Sequence, residues 1–128
     1  MNEVVFDASA ILALLQHERG AEKLSTDLLA RSVTTTVNLA EVQSKLVKNG
    51  GEPNDAWADA LSAVNSVEPY TREHARIAGD LITTTARYGL SLGDRSCLAL
   101  AVALNVPVYT TEQAWKVLKI GVPIHLIR

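Results

Sequence analysis

Residues 90–104 read LSLGDRSCLALAVAL, a polar loop containing Asp94 that leads into an uninterrupted apolar run. A helix that is apolar on all sides is normally buried, as it would be against a sheet. At helical spacing, Cys97, Leu98 and Ala101 lie on the same side as Asp94. A carboxylate at the mouth of a buried helix needs compensation, either from the backbone N–H groups that an N-cap binds or from a ligand. The local pattern leaves both interpretations open.

Outward from this helix, short β-favouring runs alternate with helical stretches along the chain. The predicted strands are Val4–Phe6, Ser32–Thr35, Ser66–Glu68, residues 106–109 and residues 123–127. The predicted helices are Ala8–Leu15, residues 21–31, 37–48 and 53–64, a long helix capped by Thr71 that runs to residue 88, residues 94–104, and a helix capped by Thr110 or Thr111 that ends at residue 118. Strands separated by helices of this length predict a three-layer α/β/α sandwich with a mostly parallel central sheet, formed by residues 1–128 as one domain.

The composition is that of an ordinary globular protein. Of 128 residues, 48% are apolar and 20% are charged, which suits a domain that buries about two-thirds of its unfolded surface. The longest apolar run, residues 97–104, is too short to cross a bilayer, and acidic Glu3 stands where a signal peptide has basic residues. The one cysteine, Cys97, excludes an internal disulfide and a cysteine zinc site, so a reducing cytoplasm is expected.

The net charge of −2 neither indicates nor excludes a nucleic-acid partner. Fourteen acidic residues face twelve lysines and arginines. If four of the acids hold metal, ten acidic residues remain against twelve basic ones. The rest of the surface is then slightly basic, which permits a local basic rim.

Two acidic positions follow predicted strands, where ligands bind in parallel α/β sheets. Asp7 ends the first strand, and Ser9 falls in the first turn of the following helix. Asp7 is therefore either a helix cap or a metal ligand to which Ser9 hydrogen-bonds. Glu112 follows the fourth strand, and Thr110 with Gln113 forms a capping-box pattern that also explains an acid there.

Glu41 has the weakest local pattern. Its predicted helix buries Leu39 and Val42, and on a helical wheel Glu41 lies opposite them, beside Lys45. Lys45 is also its i+4 partner, which is typical of a surface ion pair. Periodicity thus favours a surface position, although it also permits Glu41 to face a cleft.

In order and spacing, the sequence resembles the PIN-domain ribonucleases, and within them the VapC toxins of bacterial and archaeal toxin–antitoxin pairs. The segments that carry the resemblance are residues 4–10 (VVFDASA), 38–42 (NLAEV), 90–101 (LSLGDRSCLALA) and 108–115 (VYTTEQAW). The third is the most specific, and the resemblance covers essentially the whole chain. One departure is Glu112, since the fourth acid of the family is usually Asp.

The resemblance implies a Mg²⁺- or Mn²⁺-dependent endoribonuclease whose site residues are Asp7, Glu41, Asp94 and Glu112. Crowded carboxylates raise one another's pKa, and a hard divalent cation relieves the repulsion. We expect the first three acids to hold the principal metal, and Glu112 to help hold a second metal or orient the attacking water, which the metal activates. Ser9 and Thr110 are expected to support these ligands.

The resemblance also implies partners and products. We expect RNA as substrate, products with 5′-phosphate and 3′-hydroxyl ends, a homodimer, and a VapB-like antitoxin, with no membrane partner. The antitoxin would lay a helix or an extended tail into an apolar groove near the site, offered by residues 11–15 and 24–29.

Other functions remain possible on the same fold. A stand-alone RNA-processing nuclease and a degenerate PIN domain that binds RNA or a partner without cutting are both compatible with the sequence. A phospho-receiver domain is disfavoured, because Glu3 and Asp7 do not form its paired acids and Thr110-Thr111 stands where it has Lys. A haloacid-dehalogenase-like phosphatase would need Asp-x-Asp, but Ser9 replaces the second Asp.

Overall fold

A five-stranded parallel sheet forms the centre of the protein in a computed structural model that describes residues 2–128. Its strands are β1 (Val4–Phe6), β2 (Ser32–Thr35), β3 (Ser66–Glu68), β4 (Val108–Thr110) and β5 (Ile124–Leu126). Their order is β3-β2-β1-β4-β5, and each neighbouring pair is parallel. The central strand is β1, in which Val5 is opposite Val33 of β2 and Val108 of β4. The predicted strands and their parallel pairing are confirmed.

Helices cover both faces of the sheet. They are α1 (Ala8–Leu15), α2 (Thr26–Ala30), α3 (Thr36–Lys48), α4 (Pro53–Ser62), α5 (Arg72–Asp80), α6 (Ile82–Thr85) and α7 (Leu92–Leu104), with short 3₁₀ helices at Ala21–Lys23, Ala86–Tyr88 and Gln113–Val117. Within residues 2–128, no helix is long and apolar enough to cross a membrane.

The alternation of side chains along β1 divides the core in two. Val4 and Phe6 pack on one face with residues of α1, α3 and α4. Val5 packs on the other face with the buried side chains of α7, among them Cys97 and Leu98. Successive strand residues point to opposite faces, so one strand serves both layers. The predicted three-layer α/β/α sandwich is confirmed, and α7 is the buried helix that its apolar run predicts.

Two predicted helices are shorter than their sequence patterns indicate. Residues 21–31 form a 3₁₀ turn and then α2, because the Ser25 side chain accepts the Leu28 N–H and begins a new helix. The long helix capped by Thr71 does begin there but is interrupted after Asp80. Beyond that point the Thr85 hydroxyl donates to the Leu81 carbonyl, and such bonds compete with regular helix.

Two predicted helix starts are also wrong. Helix α7 begins at Leu92 with Ser91 as its N-cap, so Asp94 is the third residue of the helix. After β4, the capping box expected of Thr110 does not form. The Thr110 hydroxyl is engaged elsewhere, and a 3₁₀ helix begins at Gln113 without a side-chain cap.

Candidate active site

The sheet order brings Asp7 and Thr110 together. Asp7 directly follows β1, and Thr110 is the last residue of β4, the parallel neighbour of β1. The carboxyl ends of parallel neighbours meet at one edge of a sheet, where α/β proteins bind ligands. Glu41 reaches the same region from α3, which follows β2, and Asp94 from the first turn of α7.

Asp7 is buried, and hydrogen bonds hold its carboxylate on several sides. The Thr110 hydroxyl donates to Oδ2 at 2.6 Å, and the backbone N–H of Ala10 donates to Oδ1 at 2.8 Å. The Ser9 hydroxyl lies 2.7 Å from Oδ1 and 2.9 Å from Oδ2. Asp7 thus caps α1 and also presents a fixed carboxylate at the sheet edge, so the two interpretations from sequence are compatible. Ser9 and Thr110 both contact it, as expected of supporting residues.

Burial makes the ionised form of Asp7 costly. It raises the pKa of this carboxyl from 3.8 to about 6, although the bonds from Thr110, Ala10 and Ser9 act in the opposite direction. The negative charge of Asp94 raises this pKa further. A carboxylate of this kind favours a nearby positive charge.

Glu41 faces the first turn of α7. Its Oε1 accepts a 2.7 Å hydrogen bond from the side-chain amide of Asn38, one turn earlier on α3. Burial raises its pKa and the Asn38 bond lowers it; the charge of Asp94 raises it again, and Lys45 opposes that rise. Glu41 is therefore half-buried against α7 rather than on the open surface that its helical wheel favoured.

Asp94 lies close enough to Asp7 and to Glu41 for its charge to act on both. Its Oδ2 accepts the Ser91 N–H at 3.0 Å, and the Ser91 hydroxyl accepts the Asp94 N–H at 3.1 Å, which together form a capping box. The expectation that Asp94 is the N-cap is wrong, since Ser91 is the N-cap and Asp94 takes the third helical position of the capping box. The charge of Asp94 acts on both Asp7 and Glu41, which places three acids in one electrostatic environment.

The buried thiol of Cys97 reports the same environment. Burial raises the pKa of Cys97 well above its ordinary value, and the charges of Asp7, Asp94 and Glu41 raise it further, in that order. Cys97 lies one turn beyond Asp94 on α7 and is fully buried. A thiol held neutral in this way serves as a packing group beneath the acids.

Glu112 joins the site differently. It is exposed, and its backbone N–H donates to the Thr110 hydroxyl at 3.0 Å, while that hydroxyl donates to Asp7. Glu112 lines a cleft of about 300 Å³, together with Ser9, Leu12, Gln16, Glu18, Lys45, Asn49, Thr111 and Arg128. Thr110 thus links the Glu112 backbone to Asp7, and Glu112 lies at the wall of an adjoining polar cleft.

The donor chemistry of this edge fits a hard divalent cation. The carboxylates supply oxygen ligands, and a cation would relieve the burial and mutual repulsion that raise the pKa of Asp7 and Glu41. Among residues 2–128, however, no three or more His, Cys, Asp and Glu side chains are already grouped to hold a metal ion. Asp94 is engaged with Ser91 instead. Metal ligation by Asp7, Glu41, Asp94 and Glu112 stays a prediction.

Sequence reasoning missed two residues of this site. Asn38 is buried among Thr35, Glu41 and Gly93, and Gly93 packs directly against the Glu41 carboxylate. Both belong to the segments that carry the family resemblance. The available signals were an amide three residues before Glu41 and a glycine directly before Asp94.

The fold and the site together define a three-layer α/β protein with one buried and two partly buried carboxylates at the carboxyl edge of a parallel sheet. Within that class, the sequence model of the PIN domain matches residues 4–120, and the chain belongs to the PIN domain family. A comparison with curated proteins finds no match.

Several solved structures share the fold. The DNA-bound VapBC of Salmonella typhimurium is similar with a TM-score of 0.78 and 16% identity over 100% of both chains. VapC20 of Mycobacterium tuberculosis, called a sarcin–ricin loop cleaving toxin, gives a TM-score of 0.74 and 19% identity over 94% of this chain and 99% of its own. VapBC-5 of the same organism gives a TM-score of 0.63 and 24% identity over 100% of this chain and 99% of its own. At these identities the similarity establishes the fold.

Proposed function

We propose that this chain is a divalent-metal-dependent endoribonuclease, the toxin of a VapBC-type toxin–antitoxin pair. The observation that carries the proposal is a PIN fold with the buried Asp7 carboxylate after β1, the half-buried Glu41 carboxylate against Gly93 of α7, and Asp94 next to Gly93. A protein seldom keeps a carboxylate such as that of Asp7 buried without a cation beside it, because the ionised form is costly. A site for a cation and a phosphodiester explains why it persists here.

Each carboxylate has its own support. Ser9, Thr110 and the Ala10 amide fix Asp7, Asn38 fixes Glu41, and Ser91 holds Asp94 at the start of α7. Together with Glu112, these acids are the residues that would hold Mg²⁺ or Mn²⁺. When bound, such a metal activates water and stabilises negative charge on the phosphodiester that is cleaved.

Residues that line the cleft beside Asp7 can position the attacking water and the RNA backbone. Glu112 lies at its wall, where its carboxylate can accept a proton from the attacking water or hold that water in line. Lys45 lines the same cleft and can contact a phosphate of the RNA backbone without reading its sequence. Products with 5′-phosphate and 3′-hydroxyl ends follow from water attack with departure of the 3′ oxygen.

The partner part of the proposal rests on the solved structures and on one groove. VapBC structures from three species are among those that share the fold. An apolar groove of about 400 Å³ is lined by Leu14, Thr26, Leu29, Ala30, Ser62, Ala63, Val64 and Asn65. Leu14 and Leu29 belong to the segments from which the sequence predicted an antitoxin groove, whereas Ile11, Leu12 and Leu24 are in the core.

This groove lies at the amino ends of β2 and β3, since Ala30 and Asn65 precede those strands. The carboxylates lie at the opposite edge of the sheet. An antitoxin segment that reaches both could run along α1, whose eight residues span about 12 Å.

The direct test is cleavage of a labelled RNA by the purified chain with Mg²⁺, with Mn²⁺ and with excess EDTA. We expect metal-dependent cleavage that Asp94→Asn abolishes and that Asp59→Asn, a change of an exposed acid on α4, leaves unchanged. Cleavage that persists in excess EDTA or in Asp94→Asn would overturn the mechanism. Binding of RNA without any cleavage would support a degenerate PIN domain instead.

Two further tests separate the cellular roles. If the chain is a toxin, its expression in the cytoplasm should arrest growth, and co-expression of an adjacent gene for a short antitoxin should relieve the arrest. Normal growth would favour a stand-alone processing nuclease. We also propose a homodimer, the commonest assembly of such proteins. Light scattering that shows only monomer at micromolar concentration would contradict it.

A further inference from the structure

Asn38 occupies an unusual place for a polar side chain. It lies in the first turn of α3, is only 1% exposed, and belongs to the protein interior. Its Oδ1 accepts a 2.6 Å hydrogen bond from the Thr35 hydroxyl, and its backbone N–H donates to the same hydroxyl at 2.9 Å. These bonds fix the direction in which the amide nitrogen points.

That nitrogen connects two helices. It donates to Glu41 Oε1 at 2.7 Å and to the Gly93 carbonyl at 3.0 Å. Glu41 belongs to α3, and Gly93 directly precedes Asp94 on α7. Both hydrogens of one amide are thus used, one on an acidic side chain and the other on the backbone beside a second acid.

Gly93 closes the other side of Glu41. A Cβ at Gly93 would lie 2.5 Å from Glu41 Oε1 and 2.7 Å from both Cδ and Oε2. Atoms cannot approach so closely, so any side chain here must displace the carboxylate. The Glu41 carboxylate therefore lies between the Asn38 amide and the α7 backbone.

We infer that Asn38 and Gly93 are positioning residues, which we call the Asn38–Gly93 clamp, and that they set the place of Glu41 relative to Asp94 and thereby the affinity for a divalent cation. The inference rests on the proposed function, since it assigns the residues that prepare the proposed metal ligands. Partners that orient ligands typically contribute about ten- to hundredfold to metal affinity.

A purely structural role for these residues predicts something different. If Asn38 only joined α3 to α7, its loss would lower stability and leave the metal affinity of the folded protein unchanged. Gly93→Ala separates the two roles more sharply. Alanine is a better helix former than glycine, and the atoms in its way belong to the end of a flexible side chain. The substitution should therefore move Glu41 without unfolding α7.

The experiment is calorimetric titration of Mn²⁺ into four proteins: the unchanged chain, Asn38→Ala, Gly93→Ala and Gly79→Ala. Gly79 is the matched control, because it is also in a helix and a Cβ there meets nothing within 4 Å. Thermal unfolding in EDTA is measured on each protein to report stability without metal.

We expect Mn²⁺ affinity to fall about tenfold or more in Asn38→Ala and Gly93→Ala, and to stay unchanged in Gly79→Ala. The unfolding temperature of Gly93→Ala in EDTA should equal or exceed that of the unchanged chain. Unchanged Mn²⁺ affinity in Gly93→Ala would overturn the clamp while leaving the proposed function standing. An unchanged chain that binds no Mn²⁺ would overturn the proposed function and the clamp with it. Should Asn38→Ala not fold, Gly93→Ala decides.

Discussion

The buried carboxylate of Asp7 makes the stability of the metal-free protein depend on pH, and Asp7→Asn should remove that dependence. In the folded protein the pKa of Asp7 is about 6, against 3.8 for an exposed carboxyl. Between these values the folded state keeps a proton that the unfolded chain has released. The free energy of unfolding therefore falls as the pH rises from about 4 to about 6, and it stays at the lower level above that.

The size of the effect follows from the same two pKa values. One pKa unit corresponds to about 1.4 kcal/mol, so the ionised Asp7 lowers stability by about 3 kcal/mol at neutral pH relative to strongly acid solution. Most of the change, about 2 kcal/mol, falls between about pH 4.5 and about pH 7.5. Asparagine has nearly the same shape and keeps an oxygen for the Ala10 N–H, but it does not ionise.

The assay is urea unfolding of the unchanged chain and of Asp7→Asn in EDTA, measured at about pH 4.5 and at about pH 7.5. Groups common to the two proteins cancel in the difference between them, so Glu41 does not disturb the result. We expect the stability of Asp7→Asn relative to the unchanged chain to increase by about 2 kcal/mol from the lower to the higher pH, while RNA cleavage is lost. An equal difference at both pH values would refute the assignment of a raised pKa to Asp7.

Three further predictions concern the Thr110 hydroxyl beside Asp7, Glu112 at the position of the family's usual Asp, and the conformationally constrained Gly20. Thr110→Val removes the 2.6 Å hydrogen bond that lowers the pKa of Asp7, so the pH profile of cleavage should shift upward, and Thr110→Ser should restore it. Glu112→Gln should reduce the rate of RNA cleavage by about tenfold or more while Glu112→Asp retains it; equal rates in the two variants would deny Glu112 a role in the site. Gly20 has a φ of +98° and a Cβ there would lie 2.3 Å from a backbone oxygen, so Gly20→Ala should cost about 2 kcal/mol or more in urea unfolding. Gly121→Ala, with a φ of +87° in open space, is its control and should cost clearly less.

The sheet was predictable because its signals are local and repeated. Short apolar runs such as Val4–Phe6 recur between helical stretches, and the alternation leaves a parallel α/β sheet as the simple solution. Helix interruptions were not predictable from periodicity. Ser25 and Thr85 lie within helix-compatible patterns, and the hydrogen bonds of their side chains to nearby backbone groups decide where the helices end or begin.

The site was predictable only in part, for a related reason. Asp7 and Asp94 have distinctive positions, one directly after a strand and the other at the start of an apolar run that forms a buried helix. Glu41 looked like a surface acid, because a helical wheel does not show that a neighbouring helix will pack over it. The Asn38–Glu41 bond is local, but Asn38 and Gly93 meet only through a contact across 55 residues of sequence, which local patterns do not contain.

The hydrogen bond between Asp7 and Thr110 also has a consequence for biosynthesis. The two residues are 103 positions apart, and β1 pairs on one side with β4, which contains Thr110. At about 5–20 residues per second, roughly 5 to 20 s separate their synthesis on the ribosome. During that time the nascent chain has its first acid but lacks the strand that holds it in place. If the proposed nuclease activity holds, the enzyme would stay inactive until β4 has been translated, which would give the proposed antitoxin, translated nearby, time to accumulate.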